Sequence, residues 1–324
     1  SSVSLGGGDY FIIEGDEYDS AFFDKRPKFL HYFPYYLIIN NIEFDHADIY
    51  QSLSEIKAGF KKLIRIVPGN GLIVANGDNA AVRDVLKEKY SRLQYFGSSG
   101  KNHWSFAILN MDDCGTEFLL KNNGKAIGEF RFSQHGEHQI QNAVAAIAVA
   151  RDAGIGWKAI RQALAGFEGV KRRLEHWGIF QGAIIYDDFA HHPTAILQNL
   201  KTLKKMHPDK RIFALFEPRT NTTTRNIFQN ELTDALSVAH GVFITPVHRP
   251  ERFPPGERLS IPALVEALQK RGKLVIRVKE YSQLIPALSE ILTDNDVMVI
   301  MTNGNLGGQY EQIRELAKNE NTYG

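Results

Sequence analysis

Ala183-Ile184-Ile185-Tyr186-Asp187-Asp188-Phe189-Ala190-His191-His192-Pro193-Thr194 is the stretch whose reading decides the fold. A short apolar run ends in two carboxylates, two histidines follow, and a proline opens an amphipathic segment over 194–206. The pattern predicts strand, loop and helix, with Pro193 in the first helical turn, where a missing N–H leaves no bond unmade. Charged and imidazole groups therefore gather at the carboxyl end of a strand and beside a helix N-terminus, where α/β proteins bind phosphorylated ligands. Alone, the same segment reads equally as a polar loop with a chance His pair.

Working outward, the alternation repeats. Strands are predicted at 211–216, 242–246, 274–278 and 297–301, and helices at 228–238, 261–270, 284–292 and 310–318. Strands alternating with helices of this length imply a doubly wound, Rossmann-like α/β sheet. Upstream, 10–15 and 36–42 have the apolar look of buried parallel strands. Leu53, Ile56, Phe60, Leu63 and Ile64 form a helical stripe within 52–67. A strand at 72–75, a helix at 80–90 and strands at 103–111, 116–120 and 125–132 follow, the last two joined by the hairpin signal Asn122-Asn123-Gly124. We read 71–133 as a small β-rich insert. Helices are expected at 138–153 and 157–167, and the domains at 1–168 and 169–324.

The bulk numbers exclude several classes. A chain of 324 residues with 43% hydrophobic and 23% charged content is ordinary for a globular protein. A net charge of +1 argues against nucleic acid as a partner. The single Cys114 forms no internal disulfide, and no apolar run reaches the roughly 20 residues of a membrane helix. We expect a soluble, cytoplasmic protein, monomeric or weakly oligomeric, with no membrane partner. The chain opens without Met and contains no Gly-x-x-x-x-Gly-Lys-Ser/Thr phosphate loop, so it reads as part of a larger protein.

Further constellations carry chemistry. Glu14-Gly15-Asp16-Glu17-Tyr18-Asp19 gathers four carboxylates that repel one another unless a cation neutralises them; a solvated acidic loop is the alternative. In Asn41-Ile42-Glu43-Phe44-Asp45-His46-Ala47-Asp48, the aspartates also suit a helix cap and His46 an ordinary surface imidazole. His138-Gln139-Ile140-Gln141-Asn142 opens a helix, and Gly169-Val170-Lys171-Arg172-Arg173-Leu174-Glu175 is a basic turn at the domain boundary. Phe216-Glu217-Pro218-Arg219-Thr220-Asn221-Thr222 and Met301-Thr302-Asn303-Gly304-Asn305-Leu306-Gly307-Gly308 each follow a predicted strand. Arg219 presents a planar fork suited to a carboxylate, and the glycines allow close backbone approach, although each is alone a plain turn.

Asp188-x-Ala190-His191-x-Pro193 resembles the C-terminal-domain signature of the Mur ligases and folylpolyglutamate synthases, enzymes that join an amino acid or peptide to a carboxylate at the expense of ATP. The acidic motifs at 14–19 and 41–48 resemble the central ATPase domain of the muramate-type Mur ligases. Residues 1–168 would then be the C-terminal part of that domain, and 169–324 the acceptor-binding domain. The resemblance implies Mg²⁺ held by Glu14 and His46, an adenine contact from His138 and Asn142, Arg173 facing the nucleotide phosphates, and Asp188 beside the ribose. Gln139 departs from the Asn usual in the family's His-Asn-x-x-Asn. His191 would lie where substrate and nucleotide meet, a catalytic position shared with Asp188, while Asp187 and His192 support them. Arg219, Asn221, Asn303 and Gly304 would meet the acceptor. The implied activity is an ATP-dependent ligation that consumes ATP, UDP-N-acetylmuramate and a murein tripeptide through an acyl phosphate. The alternatives are a Mur-type ligase with another acceptor and, for the chain by itself, a non-catalytic fragment.

Overall fold

The computed structural model describes residues 3–112 and 114–320. A hairpin of β1 (Asp19–Ala21) and β2 (Asp24–Pro27) precedes the first sheet. That sheet contains β3 (Tyr36–Ile39), β4 (Leu72–Asn76), β5 (Arg92–Gly97), β6 (Trp104–Asp112), β7 (Gly115–Asn122) and β8 (Lys125–Phe132), side by side in chain order. Neighbours from β3 to β6 run parallel, and β6, β7 and β8 form an antiparallel meander. Helices α1 (Leu53–Ile66) and α2 (Ala80–Val85) cover one face, which buries Ile56, Ile64, Ile73 and Val82. Helices α3 (Glu137–Asp152) and α4 (Trp157–Ala165) cover the other, with Ile140, Val144, Phe118 and Phe130 between.

The second sheet joins β9 (Glu175–Phe180), β10 (Ala183–Asp188), β11 (Arg211–Phe216), β12 (Gly241–Ile244), β13 (Leu274–Arg277) and β14 (Asp296–Met301) in the spatial order β13-β12-β11-β14-β10-β9. All neighbours are parallel except β9, an antiparallel edge strand. Helices α5 (Pro193–Met206), α6 (Gln229–Leu236) and α7 (Ile261–Lys270) supply one apolar layer. Helices α8 (Leu284–Ile291) and α9 (Gln309–Glu320) supply the other. The fold is α/β with parallel-dominated sheets, as the alternation predicts.

Three expectations need correction. Residues 71–133 are no insert: β4 and β5 are inner strands of the first sheet, and the meander extends it. Strands β5 and β9 escape the sequence pattern because Arg92-Leu93-Gln94 and Glu175-His176-Trp177 break the apolar run that marks a buried strand. Residues 10–15 form no strand; Tyr10, Phe11 and Ile12 are 60, 66 and 94% exposed. An extended segment without a hydrogen-bonded neighbour is not a strand, whatever its side chains.

Candidate functional site

Register builds the C-terminal half of the site. Asp188 stands opposite Met301, and Met301 opposite Phe216, so β10, β14 and β11 end at one level. The chain passes from β10 to β11, β12 and β13 and then returns to place β14 between β10 and β11, which is a topological switch point where ligands bind in open α/β sheets. The residues after the three strands therefore meet: the His191-His192 turn, the Thr302-Asn303-Gly304 turn and the Glu217-Pro218-Arg219 turn.

The two histidines take opposite tautomers, as assigned from their partners. His192 caps α5: its Nδ1 accepts from Thr194 N at 3.3 Å, and its Nε2 donates to Phe44 O at 3.1 Å. His191 Nδ1 donates to Phe189 O at 3.0 Å, so its Nε2 keeps a lone pair, 3.9 Å from Asp45 Oδ2. Burial lowers the His191 pKa, against the opposing pull of Phe189 O and Asp45, and so favours the neutral ring. Asp188 is 2% exposed, and its oxygens accept from Leu174 N and Ala190 N, both at 2.7 Å. What the geometry gives Asp188 is the work of fixing the turn and the linker before β9. Any ribose contact would have to share those oxygens.

The facing wall belongs to the first sheet. His46 has φ 51°, a left-handed backbone uncommon for a non-glycine residue, and Asp45 Oδ1 accepts its amide at 2.7 Å. His46 Nε2 lies 2.6 Å from Glu17 Oε1, and its ring is 4.3 Å from that of Tyr18. Burial disfavours a charged His46, but Glu17, Asp45 and Asp48 outweigh it and raise the pKa. Burial and the same acidic surroundings push Tyr18 up to about 12, a sign of strongly negative local potential.

Glu14, His46, Glu17, Glu43 and Asp45 line one cavity of about 1140 Å³ beside β3. The oxygen-rich donor set suits Mg²⁺. Among the described residues no three His, Cys, Asp or Glu groups converge as a cation cage. Mg²⁺ typically keeps several waters and takes only one or two carboxylates, so the fit does not need such a cage.

The two walls touch through residues 43, 44, 45 and 47 of one loop. Thr194 Oγ1 donates to Glu43 Oε2 at 2.7 Å, His192 bonds Phe44 O, Thr222 Oγ1 donates to Asp45 Oδ1 at 2.8 Å, and Arg225 Nη1 donates to Ala47 O at 3.2 Å. Phe228 packs on Phe44 and His192. Sequence reasoning misses these partners, since a lone Thr or a loop Arg carries no pattern of its own.

On the other flank, His138 lines a cavity of about 250 Å³ between the start of α3 and the Lys201 and Lys205 side of α5. Burial, with Arg173 nearby, lowers its pKa to about 4, and its Nδ1 is buried without a hydrogen-bond partner among the described residues. Asn142, one turn along α3, is exposed and outside that lining. Arg173 is also exposed, with no ion pair or hydrogen bond among the described residues, whereas the neighbouring Arg172 is tied down.

Arg219 Nη1 lies 3.6 Å from the buried Glu217 carboxylate and 3.4 Å from His248 Nδ1. A Cβ on Gly304 would meet Arg219 Cδ and Nε at 2.5 Å, so only glycine lets the guanidinium stem lie there. Glu217 accepts from Tyr281 Oη at 2.6 Å and from the Thr302 hydroxyl. Asn303 Oδ1 is buried without a partner among the described residues, and Asn221 is half-buried in the Arg219 loop.

Comparison with known proteins gives two family matches: the Mur ligase middle domain over residues 3–150, and the Mur ligase, glutamate ligase domain over residues 172–304. The UDP-N-acetylmuramate–L-alanyl-γ-D-glutamyl-meso-2,6-diaminoheptandioate ligase of Escherichia coli K12 is 38% identical over 98% of this chain and 67% of its own length. The UDP-N-acetylmuramate–L-alanine ligase of Caldanaerobacter subterraneus is 30% identical over 94% of this chain and 64% of its own. The crystal structure of a murein peptide ligase from Psychrobacter arcticus superposes with a TM-score of 0.65 at 31% identity, covering 96% of this chain and 63% of that one. The chain thus spans about two thirds of the length of these relatives. No helix among the described residues is long and apolar enough to cross a membrane.

Proposed function

Since this chain belongs to the Mur ligase family, we propose that it supplies the metal-binding and acceptor-binding walls of an ATP-dependent ligase of cell-wall recycling. The reaction joins L-alanyl-γ-D-glutamyl-meso-diaminopimelate to the muramate carboxylate of UDP-N-acetylmuramate. The observation that carries the reading is the seam at which Asp45, beside His46, meets His191 and Thr222 at the switch point of the second sheet. It is supported by the greater identity to the tripeptide ligase, 38% against 30% for the L-alanine ligase.

In this reading the muramate carboxylate attacks the γ-phosphate of ATP to give an acyl phosphate and ADP. The peptide amine then attacks the acyl carbon, and phosphate leaves. Neither step needs a protein nucleophile; positioning and charge neutralisation dominate. Bound Mg²⁺ would neutralise phosphate charge, held by Glu14 and by His46 after His46 gives up the proton that Glu17 favours. Arg173, exposed and unengaged, faces the phosphates, and His138 and Asn142 meet the adenine from α3. Asp188 anchors the turn that presents His191, whose Nε2 lone pair is an acceptor for the amine proton. Arg219, backed by Glu217 and Gly304 and flanked by Asn221, takes a peptide carboxylate. Asn303 Oδ1 accepts from an incoming N–H.

The test is a coupled ADP-release assay on the full-length enzyme with tripeptide and free L-alanine as rival acceptors. The expected kcat/KM ratio favours tripeptide by roughly 100-fold or more, as a polar pocket rejects a ligand that leaves it unpaired. A preference for L-alanine overturns the acceptor assignment. A polypeptide of residues 1–324 alone is expected to show no turnover, because it lacks the phosphate-loop backbone and lysine that cradle the γ-phosphate. Micromolar Mg-ATP affinity by calorimetry in that polypeptide would contradict this.

A further inference from the structure

Arg172 lies in the linker between the sheets, and its side chain is caged by the second one. Its guanidinium sits between the rings of Phe189 and Tyr310, 5.0 and 4.9 Å from their centroids. Nη2 donates to Thr302 O, and Nε lies 3.5 Å from Oδ2 of Asp187, a carboxylate with no solvent exposure. The backbone is pinned as well: Arg172 N donates to Glu175 Oε2 at 2.9 Å, and Phe189 N donates to Arg172 O at 2.8 Å. Gly169, Arg172 and Leu174 all have positive φ, 86, 60 and 48°. For Arg and Leu that conformation is disfavoured and persists only where surrounding contacts over-determine it.

These contacts lead to two places the proposed reaction needs. Thr302 opens the turn that carries Asn303 and Gly304, and Phe189 precedes His191. Arg173, the next residue, projects freely beside the His138 flank. A fixed Arg172 therefore sets where Arg173 stands relative to both turns.

We propose that Arg172 is a positioning residue: it locks the inter-domain linker to the carboxyl ends of β10 and β14, holding Arg173, His191 and the Asn303 turn in one geometry. Asp187 and Tyr310 complete the lock, with Tyr310 Oη donating to Asp187 Oδ2 at 2.5 Å. Arg172 Nε and Asp187 Oδ1 are both buried without a hydrogen-bond partner among the described residues. The ion pair is therefore not fully engaged, and a small linker movement would bring a donor and an acceptor together. Lysine does not replace this arginine, because it neither stacks between two rings nor donates from a planar fork.

The proposal rests on reading the cleft as the ligation site, so its test has two arms on the full-length enzyme. In the first, R172A is expected to lower kcat by roughly 10- to 100-fold, the scale of a small misplacement of reacting groups, with the KM for ATP within about threefold. R172K is expected to restore less than about a tenth of the loss. In the second, hydrogen exchange of residues 169–176 is expected to rise at least tenfold in R172A without ligands present. Unchanged linker exchange overturns the proposal whatever the substrate proves to be. A kcat within twofold of wild type in R172A also overturns it. A wild-type enzyme inert toward the tripeptide defeats the functional reading alone, and the exchange arm then decides. Should R172A fail to fold, D187N, which keeps the stack and removes the counter-charge, is read against the same outcomes.

Discussion

Apolar runs of similar look meet opposite fates in two regions of the molecule. Ile12 and Ile13, in the segment 10–15, are 94 and 49% exposed, whereas Leu215, Val299 and Ile300 are completely buried. Both runs have the apolar look of strands. The difference is neighbours: β11 and β14 each have strands on both sides and helices on both faces, while 10–15 has no paired strand among the described residues. Function divides along the same line. The polar groups of the second sheet are anchored by its register, whereas Glu14 is exposed at the rim of the cavity beside β3. On the proposed reading, the acceptor-binding wall is fixed by strand register, whereas the metal-binding wall is not.

The largest expected effect breaks the comparison at its weaker side. In the full-length enzyme, E14Q is expected to reduce ligation by about 1000-fold or more, the scale of a lost charge-stabilising group, with an unchanged melting curve. Retained turnover would show that the exposed carboxylate has no metal to hold. Next comes stability. L215A is expected to cost roughly 3–5 kcal/mol in urea denaturation, and I12A to stay within about 0.5 kcal/mol. Equal costs would mean that 10–15 is a buried strand after all.

Smaller effects sharpen the comparison. R219A is expected to raise the tripeptide KM roughly 10- to 100-fold, the loss of a guanidinium–carboxylate pair of about 1.5–3 kcal/mol, while the KM for ATP moves little. An unchanged tripeptide KM would leave Arg219 as Glu217's internal counter-ion. The smallest effect is on pH dependence. Burial, and secondarily Arg173, lowers His138 to about 4 from the ordinary histidine value of 6.5. The unfolded chain therefore takes up the proton first, so this group removes stability as pH falls from about 6.5 to 4 and contributes nothing above that window. H138Q is expected to lose about 1–2 kcal/mol less than wild type between pH 7 and pH 4.5, measured by urea midpoints.

How much was legible follows from what patterns encode. Pro193, the apolar run before Asp187 and the helix stripe after it placed β10 and α5 within one or two residues, because local punctuation governs both. The Asn122-Asn123-Gly124 turn has φ of 46 and 77° at Asn123 and Gly124, as its composition requires. Register across β10, β14 and β11 was not legible, since it depends on segments far apart in the chain, such as Ile184 opposite Val297 and Arg211 opposite Asp296. Positions at strand ends hinted that Asp188, Asn303 and Arg219 share a neighbourhood, but only the pairing of the strands brings them to one level. Thr222, Arg225, Tyr281 and Phe228 were invisible because their work is to touch another element. Arg172 and Arg173 were adjacent and alike in sequence. The rings of Phe189 and Tyr310, with Asp187 and Thr302, distinguish the caged one from the free one.

The loop 43–47 meets two different elements in succession: Glu43 and Phe44 reach the start of α5, while Asp45 and Ala47 reach the 222–225 segment. Spacing along this strip is therefore information, like teeth cut to match two combs at once. Removing or adding a single residue between 43 and 47 would leave every side chain present yet put the contacts on one side of the change out of step with those on the other. Such length changes should be far less tolerated here than most point substitutions, and two half-proteins taken from unequal relatives would join well only where this strip has the same length.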